Sequence, residues 1–468
     1  MPSSIFRLLL LSLIALPCAA ADKPLNLLLI TADDMNADST GWMGCTLGTT
    51  PKLDAFAGTC HHFVNAHVTA PICQPCRSAL MTGRVPHRNG ALGFNPIRTD
   101  VPTIVEVLRS NGWFAAAINK VEHMKPDTKF PWDLRLNGSG KDPEAIGADF
   151  AKCLAAAAEA KKPFFINANI TDPHRPFYAS EQGEQQKQKN PKKAAKQAAA
   201  GQIKPFTPAE ISVPAFLEDL PEVRREVAQY YSSVRRFDVS FGEILAALQA
   251  AGREGDTVIL FMSDHGMSFP FSKATVYRNG TWSPVLLRWP GMPRPAQHTE
   301  LVSSVDILPT LLELLHVKPP PGLDGRSWLP LIRGEKQPDR DYVVTHVNTV
   351  SSGKSFPQRC VRTLTRSYQF HAWPDGTPHF RVEAMNGLTY AALAKAAATD
   401  DRIRQRVQQL VTGVPEQFFD LEKDPDERVN LIADPKHAAE IGRLKKLLLA
   451  HMEKTEDPLI EQFKKLVK

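Results

Sequence analysis

The 468-residue chain is too long for one small domain, so a large domain with a smaller companion is expected. With 43% hydrophobic and 23% charged residues it has the make-up of a soluble globular enzyme and can bury a full core without staples. The net charge of +6 falls to +5 once residues 1–20, which hold Arg7 and no acid, are set aside; a mildly basic surface suits an acidic substrate, many secreted proteins share it for no specific reason, and nothing points to nucleic acid.

The N-terminus reads as a processing signal. Arg7 precedes the apolar run Leu8 to Leu16, and Cys18, Ala19, Ala20 and Ala21 offer small residues for cleavage. Residues 1–20 are therefore expected to be a signal peptide and the mature chain secreted or periplasmic. The run is too short to span a bilayer permanently, and no later stretch is long and apolar enough to do so. Ala15, Leu16 and Pro17 before Cys18 match a lipidation site poorly. Seven cysteines are present, and six remain outside the signal: Cys45, Cys60, Cys73, Cys76, Cys153 and Cys360. Their irregular spacing implies no disulfide framework, although an oxidising compartment leaves room for one or two bridges.

Taken in chain order, apolar runs predict buried strands at Leu25 to Thr31, Phe114 to Ile118, Phe164 to Ile170, Thr257 to Ser263 and Val285 to Trp289. Helical patterns fall between them, at Thr103 to Asn111, Pro143 to Ala160, Glu222 to Ala251 and Ser303 to Leu315. Buried strands alternating with helices predict a largely parallel α/β sheet. Residues 182–204, rich in Gln, Lys and Ala, read as a surface insertion. Its lysines suit a polyanion, but a solvated face explains them as well. From about Asp341 the pattern changes. Tyr342 to Val347, Cys360 to Thr365 and Tyr368 to Trp373 read as short antiparallel strands, and Pro435 to Glu453 as a helix. The expected division is a catalytic domain over 21–340 and an α+β subdomain over 341–468.

Ligands of open α/β sheets bind beyond the carboxyl ends of the strands. The first predicted strand runs into Asp33 and Asp34. The third runs into Asp172, His174 and Arg175, and the fourth into Asp264, His265 and Gly266. A lone Asp-Asp pair is most simply a solvated loop or a helix cap. Three strands delivering acids and histidines to one edge suggest a hard cation that relieves carboxylate repulsion. Asp33, Asp34 and Asp264 supply oxygens of the kind calcium takes. His265 is a weak calcium partner and leaves magnesium or zinc open, although the scarcity of other histidines near Asp33 weighs against zinc.

The most informative stretch is Pro71-Ile-Cys73-Gln-Pro75-Cys76-Arg77-Ser78, followed by Thr82-Gly83-Arg84. Pro75 suits the first turn of a helix and Gly83 its end. Cys73 is then expected just before a helix N-terminus, which favours anions, with Arg77 one turn on. A metal-binding or redox Cys-x-x-Cys would need a second ligand pair or a thioredoxin-like context, and neither is present.

These residues resemble the sulfatases. Cys73-Gln-Pro-Cys-Arg77 matches their Cys-x-Pro-x-Arg signature, with Cys73 in register and Cys76 on a variable position. Further stretches follow in order: Asp33 and Asp34, Thr50-Pro-Lys-Leu-Asp54, Thr82-Gly-Arg84, Asp172-Pro-His174, Ser263-Asp-His-Gly266, Phe419-Asp-Leu-Glu-Lys-Asp-Pro-Asp426, and Asn430 with Leu431. The resemblance implies an alkaline phosphatase-like α/β fold, with a large mostly parallel sheet flanked by helices and a small C-terminal sheet. It implies that a maturation enzyme converts Cys73 to formylglycine. It further implies one calcium ion held by Asp33, Asp34, Asp264, His265 and the modified Cys73, and a sulfated saccharide as substrate. Arg77 would hold the formylglycine hydrate. Lys120 and Lys273 would steady the sulfuryl oxygens, His174 would protonate the leaving group, and His123 would serve as base for elimination. Two departures stand out. Asn is common where His265 stands, and the usual Lys-x-His is here Lys120-x-x-His123.

Within the family the chain looks most like the sulfamidases, which hydrolyse the N-sulfate of glucosamine in heparan-type glycans. Ile170-Thr-Asp-Pro-His-Arg175 carries this, as do Val213 to Asp238, Phe269 with Pro270, Lys273 nine residues past Asp264, and Thr455-Glu-Asp-Pro458. Arg175, Arg278 and Trp282 are candidates for the sugar pocket, or simply for salt bridging and packing. Other readings are an O-sulfatase acting on another glycosaminoglycan, algal or mucin glycan, a phosphodiesterase or phosphonate hydrolase on the same fold, and a non-catalytic glycan binder. The phosphoryl-transfer relatives commonly place Ser or Thr at the cysteine position, and a pure binder has no need of Lys120, His174 and Lys273.

Overall fold

The computed structural model describes residues 23–189 and 203–467. The expected signal peptide and residues 190–202 of the Gln/Lys/Ala-rich stretch lie outside them. Eight strands form the main sheet: β1 (Asn26–Asp33), β2 (His61–His67), β3 (Phe114–Ile118), β4 (Leu134–Leu136), β5 (Phe164–Pro173), β6 (Thr257–Ser263), β7 (Val285–Arg288) and β8 (Gln297–Ser303). Their order is β4-β3-β5-β1-β6-β7-β2-β8. β1 lies at the centre, parallel to β5 and β6, whereas β7 runs antiparallel to both β6 and β2. The sheet is thus mostly parallel with one reversed strand.

β1 is buried at every position, which is why it reads as a continuous apolar run and not as an alternation. The twofold side-chain period still divides it. Leu28, Ile30 and Ala32 enter one core, beside Phe150 of the helix Pro143–Glu159 and Phe237 and Phe241 of the helix Pro221–Ala250. Leu27 and Leu29 enter the other, beside Leu108 of the helix Ile104–Ser110 and Leu311 of the helix Ile307–Leu314. Helices therefore cover both faces. β2 and β8 are absent from the sequence expectation because His61–His67 and Gln297–Ser303 are polar segments at and beside the sheet edge, without an apolar run.

A second sheet follows: β9 (Val343–Thr349), β10 (Ser355–Arg362), β11 (Arg366–His371) and β12 (Glu416–Asp420), in the order β12-β11-β10-β9 and antiparallel throughout. The helix Ala438–Thr455 covers it, packing Leu444, Leu448 and Met452 against Val361, Tyr368 and Phe370. Among the described residues no helix is long and apolar enough to cross a membrane. Cys45, Cys60, Cys73, Cys76, Cys153 and Cys360 are all free, so the one or two bridges for which the compartment leaves room are not formed.

The chain end is locked onto this sheet by charge. Arg359 of β10 and Asp457 are both fully buried, and the guanidinium grips both carboxylate oxygens, at 2.6 and 3.0 Å. Nearby, His451 lies 3.3 Å from His346, nitrogen to nitrogen, and burial pushes the His451 pKa down to about 3. The folded protein thus refuses a proton that the unfolded chain accepts near pH 6.5, and stability falls as pH drops below that value. Asp457→Ala leaves Arg359 buried without its partner and should cost about 3–5 kcal/mol, read by urea unfolding. His451→Asn should flatten the loss of stability between about pH 6.5 and pH 4; an unchanged acid slope would show that this histidine does not contribute to it.

Candidate active site

β1 ends in Asp33, with Asp34 just beyond, and both are fully buried. Asp34 takes a left-handed backbone, φ 70°, which residues other than glycine visit rarely. β6 ends beside them. The Asp264 N–H donates to the Ala32 carbonyl at 3.1 Å, and Asp264 Oδ1 accepts from the Asp34 N–H at 3.1 Å. Only glycine fits at Gly266, where a Cβ would sit 1.8 Å from the Asn279 carbonyl oxygen.

Cys73 is the first residue of the helix Cys73–Thr82, one place further in than the sequence suggests, and Gly83 ends that helix at φ 61°. The helix start brings its sulfur to the two aspartates. One donor atom from each of Asp33, Asp34, Cys73 and His265 lies within 4.8 Å of the others, all buried. Cys76 turns instead into the core beside Leu80 and Met81. Asp264 stands at the edge of this quartet, with Oδ1 3.7 Å from His265 Nε2 and Oδ2 2.9 Å from Arg77 Nη2. Burial pushes its pKa up, but both oxygens accept hydrogen bonds, so it is the carboxylate.

The donor atoms fit a metal ion. His265 Nδ1 lies 3.0 Å from the Gly266 carbonyl and must donate to it. Its Nε2 faces Cys73 Sγ at 3.2 Å and Asp34 Oδ1 at 3.3 Å. Asp33 Oδ1 and Asp34 Oδ1 are buried without any hydrogen-bond donor. Carboxylate oxygens buried together without donors are strongly unfavourable until a cation enters. Burial and the neighbouring carboxylates also push the Cys73 thiol pKa well up, so the bare thiol is a poor nucleophile here.

Three cations surround the quartet. Lys120, itself left-handed at φ 50°, pairs with Asp33 Oδ2. Lys273 Nζ sits 2.9 Å from Asp34 Oδ2 and 3.0 Å from Glu383 Oε2. Burial disfavours both ammonium groups, yet Asp33 and Asp34 more than offset it and hold both pKa values up. Arg77 is fixed by Thr31 Oγ1 at 2.9 Å, by the Asn169 side-chain oxygen and by Asp264, and its Nε is buried without a partner. His174 donates from Nδ1 to the Arg175 carbonyl at 2.6 Å and turns Nε2 to Asp34 at 4.0 Å and Glu383 at 3.5 Å. Burial and Lys273 push its pKa down. Burial, then Lys120 and Arg77, push His123 down to about 3, so it is neutral. Its Nδ1 is buried without a partner, and its ring meets Phe94 edge-on.

Some residues stand elsewhere. Arg175 is spent on Glu226 at 2.5 Å and the Ser268 carbonyl at 2.8 Å, and Arg278 lies over the Trp282 ring at 3.6 Å with its backbone N–H on Glu427. These contacts are packing and internal pairing. Two residues escape the sequence reading. Asn169 of β5 accepts from Thr31 at 2.7 Å and from Arg77, and donates to the Ile118 and Asn119 carbonyls at 2.9 and 3.0 Å. Two amides, Asn167 and Asn169, inside a buried strand were its signal, because a buried amide needs partners. Glu383 comes from a short turn far along the chain and carries no motif.

Fold and site together define a hydrolase of alkaline phosphatase-like architecture. The sequence pattern of the sulfatase family matches residues 25–317, and the chain belongs to that family. It is 27% identical to the human (Homo sapiens) N-sulphoglucosamine sulphohydrolase, over 94% of this chain and 92% of that one. It is 23% identical to a Delta 4,5-hexuronate-2-O-sulfatase of Bacteroides thetaiotaomicron, over 96% and 92%. A protein solved with its substrate D-glucosamine-2-N,6-O-disulfate shares the fold, with a TM-score of 0.69 at 15% identity, over 93% of this chain and 99% of that one.

Asn169→Ala removes one of the three groups that fix Arg77, and the partner of Thr31 with it. It should lower kcat on a sulfated substrate about 10- to 100-fold and move KM much less, as steady-state kinetics would read; an unchanged kcat would show that Thr31 and Asp264 hold Arg77 in place without Asn169.

Proposed function

We propose that this chain is a formylglycine-dependent sulfatase that uses a calcium ion and releases sulfate from the N-sulfate of glucosamine. What carries the catalytic reading is the meeting of Cys73, in a Cys-x-Pro-x-Arg helix start, with Asp33, Asp34 and His265 around carboxylate oxygens that lack donors. The oxygen-rich donor set suits a hard cation, and calcium accepts irregular oxygen cages more readily than magnesium does. Asp33, Asp34, His265 and residue 73 would hold the ion, with Asp264 at its edge. The ion supplies charge for the sulfuryl oxygens, and residue 73, oxidised to formylglycine, supplies a hydrated aldehyde as nucleophile.

The remaining work falls to side chains. Arg77, fixed on Thr31, Asn169 and Asp264, holds the hydroxyls of residue 73 in line. Lys120 and Lys273, fixed by Asp33 and Asp34, receive the oxygens of the sulfuryl group as negative charge builds on them. His174, protonated on both ring nitrogens once the negative charge of the bound sulfate favours it, delivers the Nε2 proton to the leaving nitrogen or oxygen, and neutral His123 takes the proton whose loss expels sulfate. Glucosamine N-sulfate is supported by the similarity to the human N-sulphoglucosamine sulphohydrolase along almost the whole of both chains. The similarity to a 2-O-sulfatase keeps an O-sulfated sugar as the second reading. We place the catalytic domain at 21–340 with the subdomain after it, and the mature enzyme outside the cytoplasm after loss of residues 1–20 and conversion of Cys73 by a maturation enzyme.

Mass spectrometry of the tryptic peptide holding Cys73, from protein made in its natural host, should find an aldehyde in place of the thiol. Cys73→Ala should lose at least about 10³-fold in sulfate release. An intact thiol in active enzyme would overturn the mechanism. Sulfate release from O-sulfated sugars alone would overturn the N-sulfate assignment and leave the mechanism standing.

A further inference from the structure

Glu383 is an acidic residue at a site meant for an anion, and it belongs to neither the donor quartet nor the cations around it. Its side chain is 31% exposed, so part of it faces the mouth of the site, whereas Lys273 beside it is 4% exposed. One oxygen holds Lys273 Nζ at 3.0 Å, and the other lies 3.5 Å from His174 Nε2. It thus stands beside the two groups that meet the sulfate and the leaving group in the reading above.

Its position is built. Five residues on, Glu226 accepts the backbone N–H groups of Leu388 at 3.0 Å and Thr389 at 2.7 Å. The same Glu226 pairs with Arg175 at 2.5 Å, and Arg175 follows His174 directly. The segment carrying Glu383 and the loop carrying His174 are therefore tied through one buried carboxylate. A charged group held this firmly at a mouth has a recognition role open to it that a loose surface acid does not.

A carboxylate only accepts hydrogen bonds. Lys273 spends protons on Asp34 and Glu383 and keeps one for a sulfuryl oxygen. The remaining lone pairs of Glu383 lie on its exposed side, where a donor on the sugar can replace water. We propose that Glu383 reads the ring position next to the scissile sulfate: it accepts a hydrogen bond from a free hydroxyl there and excludes sugars bearing a second sulfate or a carboxylate at that position. This rests on the sulfatase reading and narrows its substrate class to sugars that are unsubstituted beside the bond to be cleaved.

The test compares wild type, Glu383→Ala and Glu383→Gln on four sugars: N-sulfoglucosamine, its 3-deoxy and 1,5-anhydro analogues, and its 3-O-sulfated form. In the wild type, one of the two analogues lacking a hydroxyl should lose about 10- to 100-fold in kcat/KM, the range for a hydrogen bond to a charged acceptor. In Glu383→Ala that penalty should shrink below about threefold, because the acceptor is gone. Glu383→Gln, which keeps an acceptor but not the charge, should raise kcat/KM on the 3-O-sulfated sugar relative to N-sulfoglucosamine at least tenfold. If both variants slow all four sugars by one common factor through kcat, Glu383 only positions Lys273 and the proposal is overturned. A wild type that releases no sulfate from any sulfated sugar would overturn the sulfatase reading itself, a different outcome from a common loss in the variants.

Discussion

Burial of Asp33, Asp34 and Asp264 together at the end of the central strands is the constraint on which the rest depends. Two carboxylates about 4 Å apart repel by roughly 4 kcal/mol at the effective dielectric typical of proteins, before either is desolvated. The fold answers with Lys120 on Asp33, Lys273 on Asp34 and Arg77 on Asp264. Glu383 shares Lys273. Four carboxylates thus face three permanent cations, an excess of one negative charge in a site that must admit an anion. A divalent ion reverses that sign. The two aspartate oxygens without donors, with His265 Nε2 beside them, mark where it would sit.

The same charges explain why distant parts of the chain converge. Central strands β1, β5 and β6 deliver Asp33, Asn169 and Asp264 to one edge because they run parallel and end together. The helix Cys73–Thr82 starts at that edge, and the loop after β6 returns Lys273 to it. Behind the site, Asp172 is gripped by Arg236 at 2.5 and 2.8 Å, and Lys141 holds the His174 and Pro176 carbonyls. The His174 loop is thus fixed by charge on one side and by Arg175 with Glu226 on the other.

Much of this was legible in the sequence. Continuous apolar runs marked β1, β3, β5 and β6, because a strand buried on both faces has no polar alternation to hide it. The acids and histidines that follow those runs marked the site edge, and Cys-x-Pro-x-Arg marked the helix start that brings Cys73 to the aspartates. Less legible was whatever depends on a partner far along the chain. β2 and β8 lie at or beside the sheet edge and read as polar segments. Glu383 gains its meaning only from Lys273 and His174, more than a hundred residues away. Arg175 looked available for a sugar and is occupied by Glu226, which a helix pattern alone presents as one more surface acid. Lys120, left-handed like Asn119 before it, reaches Asp33, while His123 at its unusual spacing ends the following 3-10 turn and meets the Phe94 ring.

The central claim is that this buried cluster is built around one divalent cation. Its most direct test is equilibrium dialysis of the mature protein against calcium, with metal counted by mass spectrometry in wild type, Asp33→Asn and Asp34→Asn. One ion per chain in the wild type, lost or weakened at least about tenfold in each variant while the fold survives, is the predicted result. A wild type that holds no divalent ion, or variants that bind as tightly as it does, would contradict the account.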